Sequence, residues 1–292
     1  AASDARVPDS VRPTGQRVAE LNSLKKLPRV VRRLSYRVNE GLPDNVLWMT
    51  SLNTQGSPFR IFRQEILRLR HANFCTPEQL SLGSGEADKV RSEAFQNAKP
   101  TPQAKANWLR DGTREWKANQ RKTAAERQEK RTKRCSNAEL VGDYYKLRGT
   151  DFERVFEQIL GILKIPTTRL DDKTKTGAPD YLLEIEGAPP LIVELKSKEG
   201  IALVDYNRAV EVLAASEVHG YGNAFCVTLC HPGVDPSVPL VIVDCGRLSV
   251  VESHDLGEAL VRVCEGTLNQ LQFWKWLATP GQALATDLPF RA

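Results

Sequence analysis

The segment that most restricts how this chain folds runs from Gly177 to Gly200, GAPDYLLEIEGAPPLIVELKSKEG. Two short apolar runs flank a turn containing glycine and proline, which reads as strands at 181–185 and 191–196 folded back on each other. Each run carries charge where a buried strand excludes it. Asp180 opens the first, and Glu194 and Lys196 lie inside the second. Side chains alternate along a strand, so Glu194 and Lys196 face one side while Val193 and Leu195 fill the other. A carboxylate in an apolar strand is costly to bury unless something compensates it. Two carboxylates and one ammonium converging at one end of a sheet supply a reason for the cost. Hard oxygen ligands of this kind suit Mg²⁺ or Mn²⁺, and a divalent cation between them removes their repulsion and lowers the pKa of a bound water. Lys196 would then orient or deprotonate that water and offset charge on a pentacovalent phosphate, the chemistry of phosphodiester hydrolysis. The plainer reading is an edge hairpin bearing a surface Glu–Lys pair, which is worth little. "ELK" alone does not separate the two.

The surroundings of this segment alternate regularly. TDFERVFEQILGILKI reads as an amphipathic helix with Phe152, Val155, Phe156, Ile159, Leu160 and Leu163 on its buried side. DYNRAVEVLAASEVH reads as a second helix, with Asp205 as its N-cap in preference to a site residue, and Asn207 beside it. NAFCVTLC and PLVIVDC read as apolar strands, and DLGEALVRVCEGTLNQLQFWKWL as closing helical sequence. The order predicts an α/β domain over 148–292, a mixed central sheet between helices. Cys226, Cys230 and His231 invite a zinc reading, but no CxxC pair exists among the six cysteines. Cys226 and Cys230 are four apart in an apolar run, which fits buried thiols acting as small hydrophobes.

Ahead of that domain, residues 1–28 are polar with scattered Pro and Ser and read as a flexible arm. Residues 29–147 read as a basic, mainly helical region. Phe59, Phe62, Ile66 and Leu69 stand at helical spacing, and TPEQL and SGEADKV look like capped helix starts. Residues 105–134 hold eleven Lys or Arg against four acids. By default such a run is a solvated helical linker. The sharper reading makes Arg127, Lys130, Arg131, Lys133 and Arg134 phosphate contacts, with Trp108 and Trp116 docking the helix on its other side. The chain of 292 residues carries a net charge of +5, compatible with a polyanionic partner. No run reaches the length of a membrane span and the N-terminus lacks a signal-like apolar stretch. The expectation is a soluble intracellular protein, cytoplasmic, or nuclear in a eukaryote.

PD at 179–180, thirteen intervening residues and ELK at 194–196 together resemble the PD-(D/E)XK nuclease superfamily. RGTDFERVFEQILGIL is similar to the G-x-x-F-E helix of its Mrr-like restriction-endonuclease branch. The resemblance covers roughly residues 148–251. It implies a restriction-endonuclease-like, four-stranded mixed sheet flanked by helices, with nucleic acid bound along the carboxylate edge. It also implies Mg²⁺-dependent cleavage, with Asp180, Glu194 and Lys196 as the site. The branch's helix glutamate, which approaches the metal, maps onto Glu153, with Glu157 as the fallback. Its small hydroxyl residue after the second helix maps onto Thr228. Lys173 and Lys175 are candidate phosphate contacts, against the plainer reading of a solvated loop. A basic N-terminal region ahead of a C-terminal cleavage domain also looks like the layout of type IIS restriction enzymes.

The resulting expectation is a metal-dependent endonuclease acting on double-stranded DNA, with a homodimer or a larger complex as its assembled form. Restriction, phage defence and mobile-element processing all employ this chemistry. The alternatives are a non-catalytic nucleic-acid-binding or assembly module on a nuclease-like fold, and an RNase. Phosphate contacts position a substrate, so a nuclease gives the basic run a purpose.

Overall fold

The structure, a computed structural model, describes residues 34–35, 37–43, 45–53, 57–135, 137–171, 177–200 and 202–289. The expected arm at 1–28, and Lys173 and Lys175, lie outside the described residues. The chain divides into two compact units, with the boundary between Arg114 and Glu115 rather than at the expected 147 and 148.

The first unit contains helices α1 (Arg63–His71), α2 (Pro77–Ser81), α3 (Gly85–Ala94) and the start of α4 (Pro102–Thr132). The caps legible in the sequence form. Thr76 accepts from the Gln79 N–H, and Ser84 from the Ala87 N–H. Ile66, Leu69, Leu80 and Leu109 are buried. Phe62, expected on the buried face of α1, precedes the helix and is exposed. Part of this region's positive charge is used internally. Buried Lys105 pairs with Glu65 at 2.6 Å, and buried Arg91 donates to the carbonyls of Leu80 and Leu82.

The second unit is α/β. Its helices are α5 (Ala138–Lys146), α6 (Gly149–Ile162), α7 (Tyr206–Val218), a short α8 (Val238–Ile242), α9 (Ser253–Cys264) and α10 (Gln270–Leu277). Its strands are β1 (Thr167–Arg169), β2 (Tyr181–Leu183), β3 (Leu191–Ser197), β4 (Phe225–His231), β5 (Leu248–Glu252) and β6 (Gly281–Gln282). They form one mixed sheet in chain order, of six strands where four were expected: β1 with β2 and β2 with β3 pair antiparallel, and β3 with β4, β4 with β5 and β5 with β6 pair parallel. The parallel half needs crossovers, and α7 supplies the first. Gly187, at φ 77°, turns the chain between β2 and β3 in a conformation that favours glycine.

Both faces of the sheet are covered. Leu191 and Val193 join Phe152, Phe156 and Leu160 of α6 in one core, while Ile192 joins Val204, Ala209, Val212 and Cys226 in the other. This burial on both sides explains why β3 reads as a continuous apolar run at its start. One sequence assignment fails. PLVIVDC is helical, α8 followed by a 3₁₀ turn at Val243–Cys245, and the strand is LSVVE at 248–252. Pro239 sits in the first turn of α8, where proline's missing N–H costs nothing. Short apolar runs do not distinguish helix from strand by period.

Candidate active site

The two strands that carry the charged residues pair as the sequence implied. Tyr181 lies opposite Val193 and Leu182 opposite Ile192. Continuing that register by one residue places Asp180 opposite Glu194. Tyr181 and Val193 point into the α6 core. Alternation therefore turns Asp180, Glu194 and Lys196 to the α7 side of the sheet, at the C-terminal end of β3.

Asp180 is fixed by the strand beside it: the Leu195 N–H donates to its Oδ2 at 2.6 Å. Burial, and next the charge of Glu194, push the Asp180 carboxyl up to about 7. Burial also raises Glu194, against the opposing hydrogen bond from Lys196. The Lys196 Nζ lies 2.7 Å from Glu194 Oε1 and 2.8 Å from Glu211 Oε2 of α7. Glu194 Oε2 is buried and receives no hydrogen bond. Burial opposes the charge of Lys196, yet its hydrogen bonds to Glu194 and Glu211 raise its pKa above that of an ordinary lysine. Lys196 is therefore held here as a cation and a donor, which disfavours the general-base role.

The α6 glutamates sit at the rim. Phe152 and Phe156 are buried against the sheet, as their spacing implied, and Glu153 points elsewhere. Arg169 of β1 donates to Glu153 Oε2 and Glu157 Oε1, each at 3.0 Å, and the Tyr181 hydroxyl donates to Glu157 at 2.9 Å. The charge of Glu153 is among those that raise Asp180, so it lies within electrostatic reach of the site. Thr228 pairs with Glu194 across β3 and β4 but spends its hydroxyl on the Ala209 carbonyl at 2.7 Å. It anchors α7 to the sheet. Asp205 caps α7 by accepting from the Arg208 N–H, as expected.

Arg169 and Glu211 were not legible in the sequence as site residues. Glu211 lies fifteen positions after Lys196, two turns into a helix, and only the packing of α7 on β3 brings them together. Cys226 and Cys230 are buried in the α7-side core, and no group of cysteines and histidines at metal-binding distance occurs among the described residues.

A second cluster, Glu252, His254 and Asp255, brings ligand atoms within 4.8 Å of one another where β5 meets α9. Glu252 is already compensated. Arg121 of α4 donates to it twice, at 2.9 and 2.7 Å, and Lys117 stands 3.9 Å away. Burial opposes its charge, but Lys117 and Arg121 hold the Glu252 carboxyl down to about 2. The ring nitrogens of His254 face different carboxylates, Nδ1 towards Glu252 at 3.4 Å and Nε2 towards Asp255 at 3.5 Å. Asp255 Oδ2 and His254 Nδ1 are, like Glu194 Oε2, buried without a hydrogen bond, but Lys117 and Arg121 already compensate Glu252, so we read this cluster first as the seat of α4.

The same interactions sort the basic residues of α4. Arg131 is consumed by ion pairs to Glu258 and Glu265 of 2.6 and 2.7 Å. It therefore holds α4 on α9 and is not free for phosphate. Arg127, Lys130, Lys133 and Arg134 are exposed and make no ion pair among the described residues. At 100° per residue Arg127 and Lys130 lie on the side of α4 away from buried Gln128 and Thr132, and Lys133 and Arg134 follow in the 3₁₀ turn at Lys133–Cys135. No family model, curated protein or solved structure matches the chain. No helix among the described residues is long and apolar enough to cross a membrane.

Proposed function

We propose that this protein is a divalent-metal-dependent endonuclease that hydrolyses phosphodiester bonds in DNA. The observation that carries the reading is Glu194 Oε2, a buried carboxylate oxygen with no hydrogen bond, next to the Asp180 carboxyl, which burial and the charge of Glu194 push up to about 7. Unpaired buried carboxylate oxygens are costly and call for a cation. The donors present are oxygens, which fits Mg²⁺ or Mn²⁺. Asp180 and Glu194 would hold the ion, while Glu153, engaged by Arg169, would act on the site through its charge. When bound, the ion supplies an activated water and neutralises charge at phosphorus.

The chain's own residues supply the rest. The Leu195 N–H fixes one Asp180 oxygen, so the other is the one presented. Lys196, cationic and aimed by two carboxylates, stabilises the negative charge that grows on the phosphate oxygens in the transition state. A mixed sheet with α6 on one face and α7 on the other supports the reading, with six strands where the PD-(D/E)XK resemblance implies four. The exposed basic end of α4 and the 3₁₀ turn after it fit a phosphate backbone, and we assign Arg127, Lys130, Lys133 and Arg134 to that contact.

Incubating the protein with supercoiled plasmid and Mg²⁺ tests the reading. Nicked or linear products are expected, and EDTA should suppress them. Asp180→Ala and Glu194→Ala should each lower cleavage by at least about a hundredfold, the scale lost when charge stabilisation is removed. Wild-type cleavage by either variant would overturn the assigned site. Cleavage of matched RNA but not DNA would move the substrate class.

A further inference from the structure

Lys196 has two carboxylate partners although one would neutralise it, and the second comes from a different element. Glu194 offers Oε1 to Lys196 and leaves Oε2 bare. If Oε2 takes a divalent cation, one carboxylate serves two positive groups on neighbouring oxygens, and those groups repel. An ammonium anchored only to Glu194 would be driven off as the cation enters. Glu211 prevents this. It lies 2.8 Å from Lys196 Nζ through Oε2, and its Oε1 accepts from Arg208 one turn earlier in α7 at 3.2 Å. Arg208 also donates to Oε2, at 3.4 Å, and so steadies the whole Glu211 carboxylate against Lys196. The carboxyl is held below the ordinary glutamate range, by the Lys196 hydrogen bond above all, so it carries full charge at neutral pH.

We propose that Glu211 is a positioning residue that holds the Lys196 ammonium in the site while Glu194 is shared with the divalent cation. The inference rests on the metal-dependent reading of Asp180 and Glu194. It predicts coupling between Glu211 and the cation through Lys196, which direct cation binding reads without any substrate. Mn²⁺ or Mg²⁺ is titrated calorimetrically into the full chain, for wild type, Glu211→Gln, Lys196→Met and the double variant.

Glu211→Gln should weaken cation binding by about fivefold, in the range of coupling between directly touching residues. In the Lys196→Met background the same substitution should change affinity by less than about twofold, because no ammonium remains to be held. Equal losses in both backgrounds would overturn the positioning role and reduce Glu211 to a distant charge. Wild-type protein that binds no divalent cation would overturn the metal-dependent reading itself, and this inference with it. In the cleavage assay Glu211→Gln should lower kcat more than it raises KM, since Lys196 acts where charge develops. Glu211→Asp should recover part of the loss. A change confined to KM would count against the assignment. Glu211 is half exposed, so all four proteins should fold alike, which their far-ultraviolet circular dichroism checks.

Discussion

The Asp180 carboxyl shows how a single residue can be legible in sequence and yet acquire its chemistry from packing. Its position before an apolar strand marks it as unusual, but its acidity comes from burial and from Glu194 across the strand pair. A consequence for stability follows. The carboxyl is raised to about 7 in the folded protein and is ordinary in the unfolded chain. Between roughly pH 4 and 7 the native state therefore binds more protons, and stability falls as pH rises through that window. Asp180→Asn keeps an acceptor for the Leu195 N–H and removes the charge. Each tenfold change in the acid constant is worth about 1.4 kcal/mol, and partial relaxation around the site reduces the total. In EDTA the variant should thus be about 2 kcal/mol more stable than wild type at pH 8, and less than about 1 kcal/mol more stable at pH 5. Urea unfolding at both pH values measures it. An unchanged pH dependence in the variant would mean that Asp180 is not the strained group.

At the scale of elements, the C-terminal half of α4 is held on the sheet by ionic pairing more than by an apolar stripe. Arg121 meets Glu252, Gln128 donates to the His254 carbonyl at 2.9 Å, and Arg131 meets Glu258 and Glu265. Glu252 is 1% exposed, so removing Arg121 takes away both short charged hydrogen bonds of a buried carboxylate and leaves it to Lys117 at 3.9 Å and the Val234 N–H. Arg121→Ala should cost about 3–5 kcal/mol in chemical denaturation. Lys122→Ala, next to it on the exposed face, should cost less than about 0.5 kcal/mol. Similar costs for the two would rule out Arg121 as the anchor of α4. Gly257 of α9 sits where Gln128 and the Tyr145 hydroxyl approach closest, with no room for a Cβ. Gly257→Ala should therefore destabilise by about 1–3 kcal/mol, because the Gln128 amide and the Tyr145 hydroxyl must shift and give up their mutual hydrogen bond. A neutral result would show that these side chains move aside freely.

Across the whole molecule, the basic charge divides between residues that build the protein and residues that make no ion pair among the described residues. Lys105, Arg91, Arg121 and Arg131 are committed to carboxylates or carbonyls within the chain. Replacing Arg127, Lys130, Lys133 and Arg134 together by serine should weaken binding to all duplex sequences alike. It should also flatten the dependence of log affinity on log salt by about 0.9 for each phosphate no longer neutralised. Fluorescence anisotropy at several salt concentrations reads this. An unchanged slope would return the run to a solvated helix. Arg131→Ala should instead lower stability with little effect on that slope. Periodicity and capping act over a few residues, and they are enough to specify the amphipathic α6, the capped starts of α2, α3 and α7, the hairpin of β2 and β3, and the placing of Asp180, Glu194 and Lys196 on one face. No local pattern carries the other features. Glu211 and Arg169 join the site, 248–252 and not 239–245 is the fifth strand, and the units part within α4. Each of these depends on interactions between residues far apart in the chain, where the free energy of burial and ion pairing overrides what a local pattern encodes.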